Sequence, residues 1–412
     1  MVKKDRSSFV NKTAVLPELV QGACGGFAYQ MKMLPKFYQT HLQSQLSRSE
    51  YLSLTLLLNL LQSIKQVRLE RLANAFPFPI QFESRRRKIQ KLLSLPQLTI
   101  KNIWFPIIQV WLKAEFQPTQ VLHIAIDRTN WRQINLLIVS LIYDKRAIPL
   151  YWQLLPKLGS TNWEEQTRAI SQVLPLVNDY TTIVLADREF CSVKLGNWLR
   201  QQDVYFCLRL KKSEFVQANP ENWVQFNALG LAPGVSVYLQ GVHVTKQKGF
   251  APFNVACKWQ RQYRGWVADE GWLILTNLED LAAAIHGYKR RFDIEQMFRD
   301  FKRGGYDLEG TNVSGERLIV LVLLIAIAYT SATMHGKNIK RMGIQKYIGR
   351  VQESGRVERR HSSFHIGLYG QTWVDSMQHC AEAVTELMEL SLNKRKYYYQ
   401  GLRAMRLILS AL

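Results

Sequence analysis

Cysteine is scarce in this 412-residue chain and badly placed for a structural role. The five residues, Cys24, Cys191, Cys207, Cys257 and Cys380, are scattered, odd in number and nowhere in a C-x-x-C pair. That excludes a disulfide framework and a zinc module, and fits a reducing cytoplasm. Long apolar runs are missing too. Tyr51 to Ile64 is broken by Ser53, Thr55, Asn59 and Gln62, and Leu318 to Tyr329 is only twelve residues long. A membrane span needs about 20 residues, so both stretches are expected as buried helices and no membrane partner is expected. The start, Met1-Val2-Lys3-Lys4-Asp5-Arg6, is positive but no apolar run of signal-peptide length follows it, which argues against secretion. No internal repeat or low-complexity tract occurs. Acid is also in short supply, with 32 Asp and Glu against 54 Lys and Arg, a formal charge of +22.

What is present is apolar and aromatic. With 47% hydrophobic residues, 11 Trp and 18 Phe, the chain can bury enough surface to offset its entropy, so disorder is excluded. A strongly basic protein usually meets a polyanion. The basic excess is uneven: 15 basic and 5 acidic side chains in residues 1–100, 26 and 21 in 101–335, 13 and 6 in 336–412. A near-neutral middle between basic ends suggests a working core between two polyanion-gripping segments.

Residues 1–118 read as a basic, helical DNA-binding region. Helical windows run from about Ser47 to Leu95, interrupted by Pro77 and Pro79, with Ser84 as a candidate cap for a helix from Arg85 to Leu93. There Ile89, Leu92 and Leu93 form an i, i+3, i+4 stripe and turn Arg87 and Lys91 the other way. Such a helix reads DNA or is a solvated charged face. Residues 119–211 change to β texture: Val121–Ile126, Ile134–Tyr143 and Ala147–Leu154 as a meander, a helix over Trp163–Val177 capped by Ser160 or Thr161, a strand over Thr181–Ala186, a helix over Ser192–Gln201 and a strand over Val204–Leu210. The order β-β-β-α-β-α-β is that of an α/β ribonuclease-H-like core, in which the first and fourth strands lie side by side. Residues 212–270, rich in Gly and Pro between short β-prone pieces, read as an inserted β-rich lobe. Residues 271–335 complete the core with a strand over Trp272–Thr276 and a helix running past Lys302. Residues 336–412 form a basic segment and a helical C-terminal region, with a final helix from about Val374 to Ser391, a candidate for dimerisation.

Asp127 follows the apolar run Leu-His-Ile-Ala-Ile, and Asp187 follows Ile-Val-Leu-Ala. A carboxylate at the end of a buried strand needs a partner such as a metal ion, though a lone Asp there is often only a turn opener. Two at matching strand ends favour metal ligation. Tyr288, Arg291, Glu295 and Lys302, at about 100° per residue, fall within roughly a 60° arc of one helix. The alternative is an ordinary surface ion pair between Arg291 and Glu295. If the helix instead packs beside the two aspartates, three carboxylates can hold two divalent cations for phosphodiester chemistry, with Arg and Lys on the phosphates.

The chain resembles the bacterial insertion-sequence transposases of the DDE class that carry a Tyr-x2-Arg-x3-Glu-x6-Lys signature, the IS-four family. Tyr288, Arg291, Glu295 and Lys302 reproduce every spacing, Asp187-Arg188-Glu189-Phe190 is similar to the second motif, and Asp127-Arg128-Thr129 to the first. The resemblance spans residues 121 to about 335. It implies cut-and-paste transposition with Mg²⁺, for which Mn²⁺ can substitute, held as two cations by Asp127, Asp187 and Glu295. Water nicks one strand, the freed 3′-OH attacks the other to form a hairpin, and the opened end joins target DNA. It further implies that Tyr288, Arg291 and Lys302 contact DNA, that Trp272 stacks on a flipped base, and that a homodimer holds double-stranded DNA ends in a synaptic complex on the bacterial nucleoid. For Trp272 a plain core role stands beside this.

Two other classes compete. A DNA-binding repressor or domesticated copy without catalysis would gain nothing from three converging carboxylates, and a ribonuclease-H-like nuclease would not need the Tyr-Arg-Glu-Lys stripe. His361 and His365 have a zinc-compatible i, i+4 spacing but no further ligands, and read as part of a Ser-rich turn. Cys191, close to Asp187, lacks a paired His and reads as a buried small residue.

Overall fold

The computed structural model describes residues 34–219, 221–245, 252–261, 269–352, 354–355 and 361–411. Cys24 and the basic start of the chain lie outside them. The described residues divide into two compact units, one of His41–Leu57 with residues from Lys65 to Ala326, the other of residues 34–40 with Leu58–Ile64 and residues from Ile327 to Ala411. In chain order come helices α1 (Lys36–Gln45), α2 (Arg48–Ile64), α3 (Leu69–Ala75), α4 (Phe82–Leu92) and α5 (Phe105–Glu115), then strands β1 (Leu122–Trp131), β2 (Ile134–Tyr143) and β3 (Arg146–Leu154). Helix α6 (Trp163–Val177), β4 (Thr182–Ala186), α7 (Val193–Gln201) and β5 (Tyr205–Arg209) follow, and then β6 (Phe215–Asn219), β7 (Asn222–Gln225), β8 (Ser236–His243), β9 (Pro252–Lys258) and β10 (Trp272–Thr276). The rest is helical: α8 (Leu281–Arg290), α9 (Phe292–Phe301), α10 (Gly315–Arg341), α11 (Ser363–His379), α12 (Ala381–Leu390) and α13 (Arg395–Ser410).

The larger unit is built on one eight-stranded sheet in the order β3-β2-β1-β4-β5-β10-β9-β8. The first three strands are the expected meander. Asp144 and Lys145, both at positive φ (49° and 59°), make the two-residue turn between β2 and β3, the backbone twist that tight hairpins favour. Every β2 residue after Ile134 is buried, as a strand covered on both faces requires. Pro149 is tolerated on the edge strand β3, at a register shift opposite Ser140. Strands β1, β4 and β5 are parallel neighbours, which gives the ribonuclease-H-like order. Among the described residues of 212–270, β6 and β7 form a separate hairpin, whereas β9 pairs with β10 and β8 with β9, which widens the central sheet.

Several boundaries differ from the sequence reading. Strand β1 runs on to Trp131 because β2 continues to pair with it, so Asp127 lies inside the strand; the β4 pairing, however, stops at Ile126↔Ala186. Helix α6 is capped by Asn162, neither Ser160 nor Thr161: its Oδ1 accepts from Glu165 N at 2.8 Å while the Glu165 carboxylate accepts from Asn162 N at 2.9 Å. Helix α4 begins at Phe82, ahead of Ser84, with Gln81 as its uncapped start. The expected final helix breaks at Cys380 into α11 and α12. Helix α10 has 27 residues and is apolar enough to cross a membrane by length and composition, but its apolar window is 89% buried inside the protein.

The smaller unit packs Ile339, Ile344, Ile366, Val374 and Ile408 together. Its tight point is the crossing of α10 and α11, where a Cβ at Gly336 would overlap the Ser363 carbonyl and one at Gly367 the Ala332 carbonyl. His335 Nε2 and Asn338 Nδ2 reach the Ile408 and Ala411 carbonyls, each at 2.7 Å, and fasten the end of α13.

Candidate active site

The parallel pairing of β1 and β4 ends at Ile126↔Ala186, so Asp127 and Asp187 are the next residue on each chain, close enough for their charges to interact. Glu295 arrives on α9, which buries Ile294, Met297, Phe298 and Phe301 and keeps Glu295 on its open side. Between them lies Arg291, only 3% exposed. One guanidinium nitrogen donates to Asp127 Oδ2 at 3.3 Å and another to Glu295 Oε1 at 2.6 Å, and the Tyr288 hydroxyl donates to Asp187 Oδ1 at 3.4 Å. The Arg291–Glu295 pair is therefore no solvated surface pair, since it reaches a strand-borne carboxylate 164 residues away.

Burial pushes the Asp127 carboxyl up to about 6, with Asp187 and Glu295 adding to the rise, while Arg291 and the Arg128 amide oppose it. Burial likewise raises the Tyr288 hydroxyl to about 12, which keeps it a neutral donor. A carboxyl whose folded value lies above its unfolded 3.8 stabilises the fold fully below that value and loses the contribution as pH rises through about 6. The melting temperature of Asp127→Asn relative to the parent protein should therefore increase between pH 4 and pH 7. A difference that stays flat across that window in thermal melts would contradict the buried, crowded carboxylate.

The helix carrying these residues is not continuous. Arg291 N bonds to Tyr288 O at 3.0 Å and Ile294 N to Arg291 O at 3.1 Å, a tightened turn that separates α8 from α9 and draws Arg291 inward. Lys302 leaves the helix (φ −86°, ψ −133°), and its amine pairs with Glu309 at 2.8 Å. The expected four-residue stripe on one helix face is thus corrected: Tyr288, Arg291 and Glu295 meet the aspartates, whereas Lys302 is held by Glu309.

By donor type, three carboxylates suit a hard divalent cation, and Arg291 marks where positive charge belongs among them. Among the described residues no three His, Cys, Asp or Glu side chains gather closely enough to form a ready-made metal cage. The positive charge bonded to Asp127 and Glu295 in this arrangement is the Arg291 guanidinium.

Trp272 opens β10 half-buried. Its ring stacks on Phe292 (5.9 Å, 26°) and meets Tyr288 edge-on (5.2 Å, 77°). Trp272 and Phe292 line a cavity of about 510 Å³ with Lys258, Lys289, Glu270 and Ile285. Trp272 is therefore not a sealed core residue. Phe292, 37% exposed, was missed in the sequence; its only signal was an aromatic directly after Arg291. Also missed was the clamp joining the two aspartate motifs. Arg128 Nε donates to Glu189 at 2.7 Å, and Glu189 accepts from Thr161 N at 3.0 Å, so β1, the β4 loop and the start of α6 are tied together. The hint was a basic residue just after Asp127 and an acidic one just after Arg188.

Among the basic residues of α4, Arg85 donates to Ala73 O and Ile80 O, Arg86 pairs with Glu70 and Glu83, and Lys88 lies 4.4 Å over the Phe78 ring. Arg87 and Lys91 are exposed and belong to no ion pair among the described residues. His361 and His365 stack on each other at 4.2 Å, and Ser362 caps α11 by accepting from His365 N. Cys191 is a poor nucleophile, because burial pushes its thiol far up.

A ribonuclease-H-like sheet with carboxylates meeting at its first and fourth strands defines a nucleic-acid-processing class of protein. Within that class the chain belongs to the family described as Transposase DDE domain, which matches residues 120–331. Transposases of this family generally use divalent metals. No curated protein matches the chain. Among solved structures, the piggyBac transposase synaptic complex with hairpin DNA is similar at 12% identity and a TM-score of 0.45, covering 88% of this chain and 81% of that one. Marinitoga piezophila Argonaute in complex with guide RNA and target DNA reaches 11% identity and a TM-score of 0.22, covering 61% and 37%.

Proposed function

We propose that this protein cuts and joins the ends of a bacterial insertion element of the IS-four family by a cut-and-paste route with a hairpin intermediate. The observation that carries the reading is the β1–β4 register that sets Asp127 beside Asp187, joined through Arg291 to Glu295. Asp127, Asp187 and Glu295 would hold two divalent cations, Mg²⁺ or Mn²⁺, whose chemistry is to stabilise the attacking and leaving oxygens of an in-line displacement. Arg291, once released from the carboxylates, and Lys302 hold phosphates next to the reacting one, and Tyr288 keeps Asp187 oriented. Water attacks the phosphorus of one strand and frees a 3′-OH. That hydroxyl attacks the opposite strand, expels the flanking 3′ oxygen and closes the hairpin.

Closing a hairpin at a duplex end forces a base out of the stack, at a cost of a few kcal/mol. The cavity beside Trp272 and Phe292 offers that base an aromatic platform, with Lys258 and Lys289 near its phosphate. Trp272→Ala should leave first-strand nicking largely intact and slow hairpin formation about 5- to 150-fold, the worth of one base–aromatic stack of about 1–3 kcal/mol. Gel analysis of nicked and hairpin products, with the melting midpoint measured alongside, tests this. An unchanged hairpin-to-nick ratio in a destabilised protein would remove Trp272 from the reaction.

End binding is assigned to the basic helical region. Arg87 and Lys91 are the α4 cations left over after the fold's own needs, so Arg87→Ala with Lys91→Ala should weaken end binding and lower the slope of log K against log salt by about 2. An unaltered slope in filter-binding titrations would return them to a solvated face. The exposed Leu387, Leu390 and Tyr397 (60, 75 and 68%) support assigning homodimer contacts in the synaptic complex to the C-terminal helices. The proposed site of action is the bacterial cytoplasm, on nucleoid DNA.

A further inference from the structure

A second cavity, of about 520 Å³, is lined by Arg188 and Glu189, the two residues that follow Asp187. Its wall includes Trp163, Arg188, Lys194 and Lys211, with the first residues of α6 and α7, helices of 15 and 9 residues. Arg188 also pairs with Glu270, which lines the aromatic cavity, so this ion pair stands between the two spaces. Lys194 lies 5.6 Å over the Trp163 ring. Lys194 and Lys211 have no carboxylate partner among the described residues. Two donors on the wall are unmet, the indole Nε1 of Trp163 and Nε of Arg188. Of the two acids there, Glu189 is committed to Arg128, which leaves two lysines against Glu214.

An indole face, two ammonium groups without a carboxylate partner and two helix N-termini together suit a phosphate with a base attached. The volume lies in the range of small-ligand clefts, roughly 300–1,000 Å³. We propose that this cavity takes a nucleotide of the DNA strand that continues past the scissile phosphate, its base against Trp163 and its phosphate between Lys194 and Lys211. The inference rests on the transposase reading: a strand whose end-side base occupies the Trp272 cavity crosses Asp187 and meets this second cavity next. DNA flanking the element before cleavage and target DNA after it present the same chemistry.

The test is a fluorescence-anisotropy titration of the full chain in EDTA with three labelled probes: a blunt duplex, the same duplex carrying an oligo(dT) arm, and free oligo(dT). Lys194→Gln with Lys211→Gln should weaken binding of the armed probe about tenfold and lower its salt slope by about 1.4, while the blunt duplex binds as before. Glu214→Gln should tighten the armed probe. Loss on the armed probe alone assigns the cavity to flanking DNA, and loss on free oligo(dT) as well assigns it to target strands too. Equal loss on the blunt duplex, or no loss on any probe, overturns the proposal. Because no cleavage occurs in EDTA, this result is independent of whether Glu295→Gln abolishes cutting, so the two readings fail separately.

Discussion

Glu295→Gln is expected to reduce cleavage of element-end DNA by at least about 10³-fold, since a lost charge at a two-metal site is worth several kcal/mol of barrier. Its fold should tolerate the change. The side chain is 47% exposed and the amide oxygen of Gln can still accept from Arg291 Nη2, so losing the charge on this bond should cost about 1–2 kcal/mol. End binding should be kept or slightly strengthened, because affinity comes from basic groups and one negative charge has left the face that meets the polyanion. The combination separates chemistry from both folding and binding. A nicking assay in Mg²⁺, a mobility shift with the same DNA and a thermal melt read all three. Cleavage at the parent rate would refute the assignment of Glu295, and cleavage by the parent protein in a chelator would refute the metal requirement.

The parts of this site that could be read from sequence are those fixed by hydrogen-bonding geometry over short distances. The apolar runs ending at Ile126 and Ala186 announced two strands, and the β-α order between them made them neighbours; the constant offset of the parallel register then left Asp127 beside Asp187. The spacing of Tyr288, Arg291 and Glu295 survived the break in the helix, because one tightened turn shifts side chains by only a fraction of a turn. Lys302 did not survive it. An angular projection assumes that the helix persists, and the chain leaves it at Phe301 before Lys302 is reached.

What was illegible depended on partners distant in sequence. The charges after Asp127 and Asp187 hint at a pair but do not single out Arg128 with Glu189, and nothing in residues 212–270 indicates that β8 and β9 join the central sheet while β6 and β7 do not. The alternation of such strands fits a separate lobe equally well, and only the edge offered by β10 decides it. In α4 the basic run is legible but its division of labour is not. The turn through Pro77 and Pro79 claims Arg85 for its carbonyls, and the acids Glu70 and Glu83 claim Arg86.

Arg291→Gln should have the largest effect on the metal-free protein. The guanidinium is buried against Asp127 and Glu295 and faces the Phe292 ring at 4.7 Å, so removing it leaves a buried carboxylate without its cation. Breaking a buried pair by deleting one partner costs about 3–5 kcal/mol. The loss should depend on pH. With Arg291 gone, only the Arg128 amide opposes the burial that already holds Asp127 at about 6, so the variant should recover stability as pH falls and protonation neutralises the carboxyl. Divalent cation should do the same at neutral pH. If the three carboxylates hold the cation as proposed, Mn²⁺ displaces the guanidinium in the parent protein, whereas in Arg291→Gln that competitor is gone. The rise in melting temperature on adding Mn²⁺ should therefore be larger for the variant than for the parent, and Mn²⁺ binding followed by electron paramagnetic resonance without DNA should be tighter. Arg291→Lys keeps the charge but not the forked geometry and should fall between the two. Equal Mn²⁺ shifts in parent and variant would mean that Arg291 does not occupy the position the cation takes, and the carboxylates would then have to rearrange by another route before the site could act.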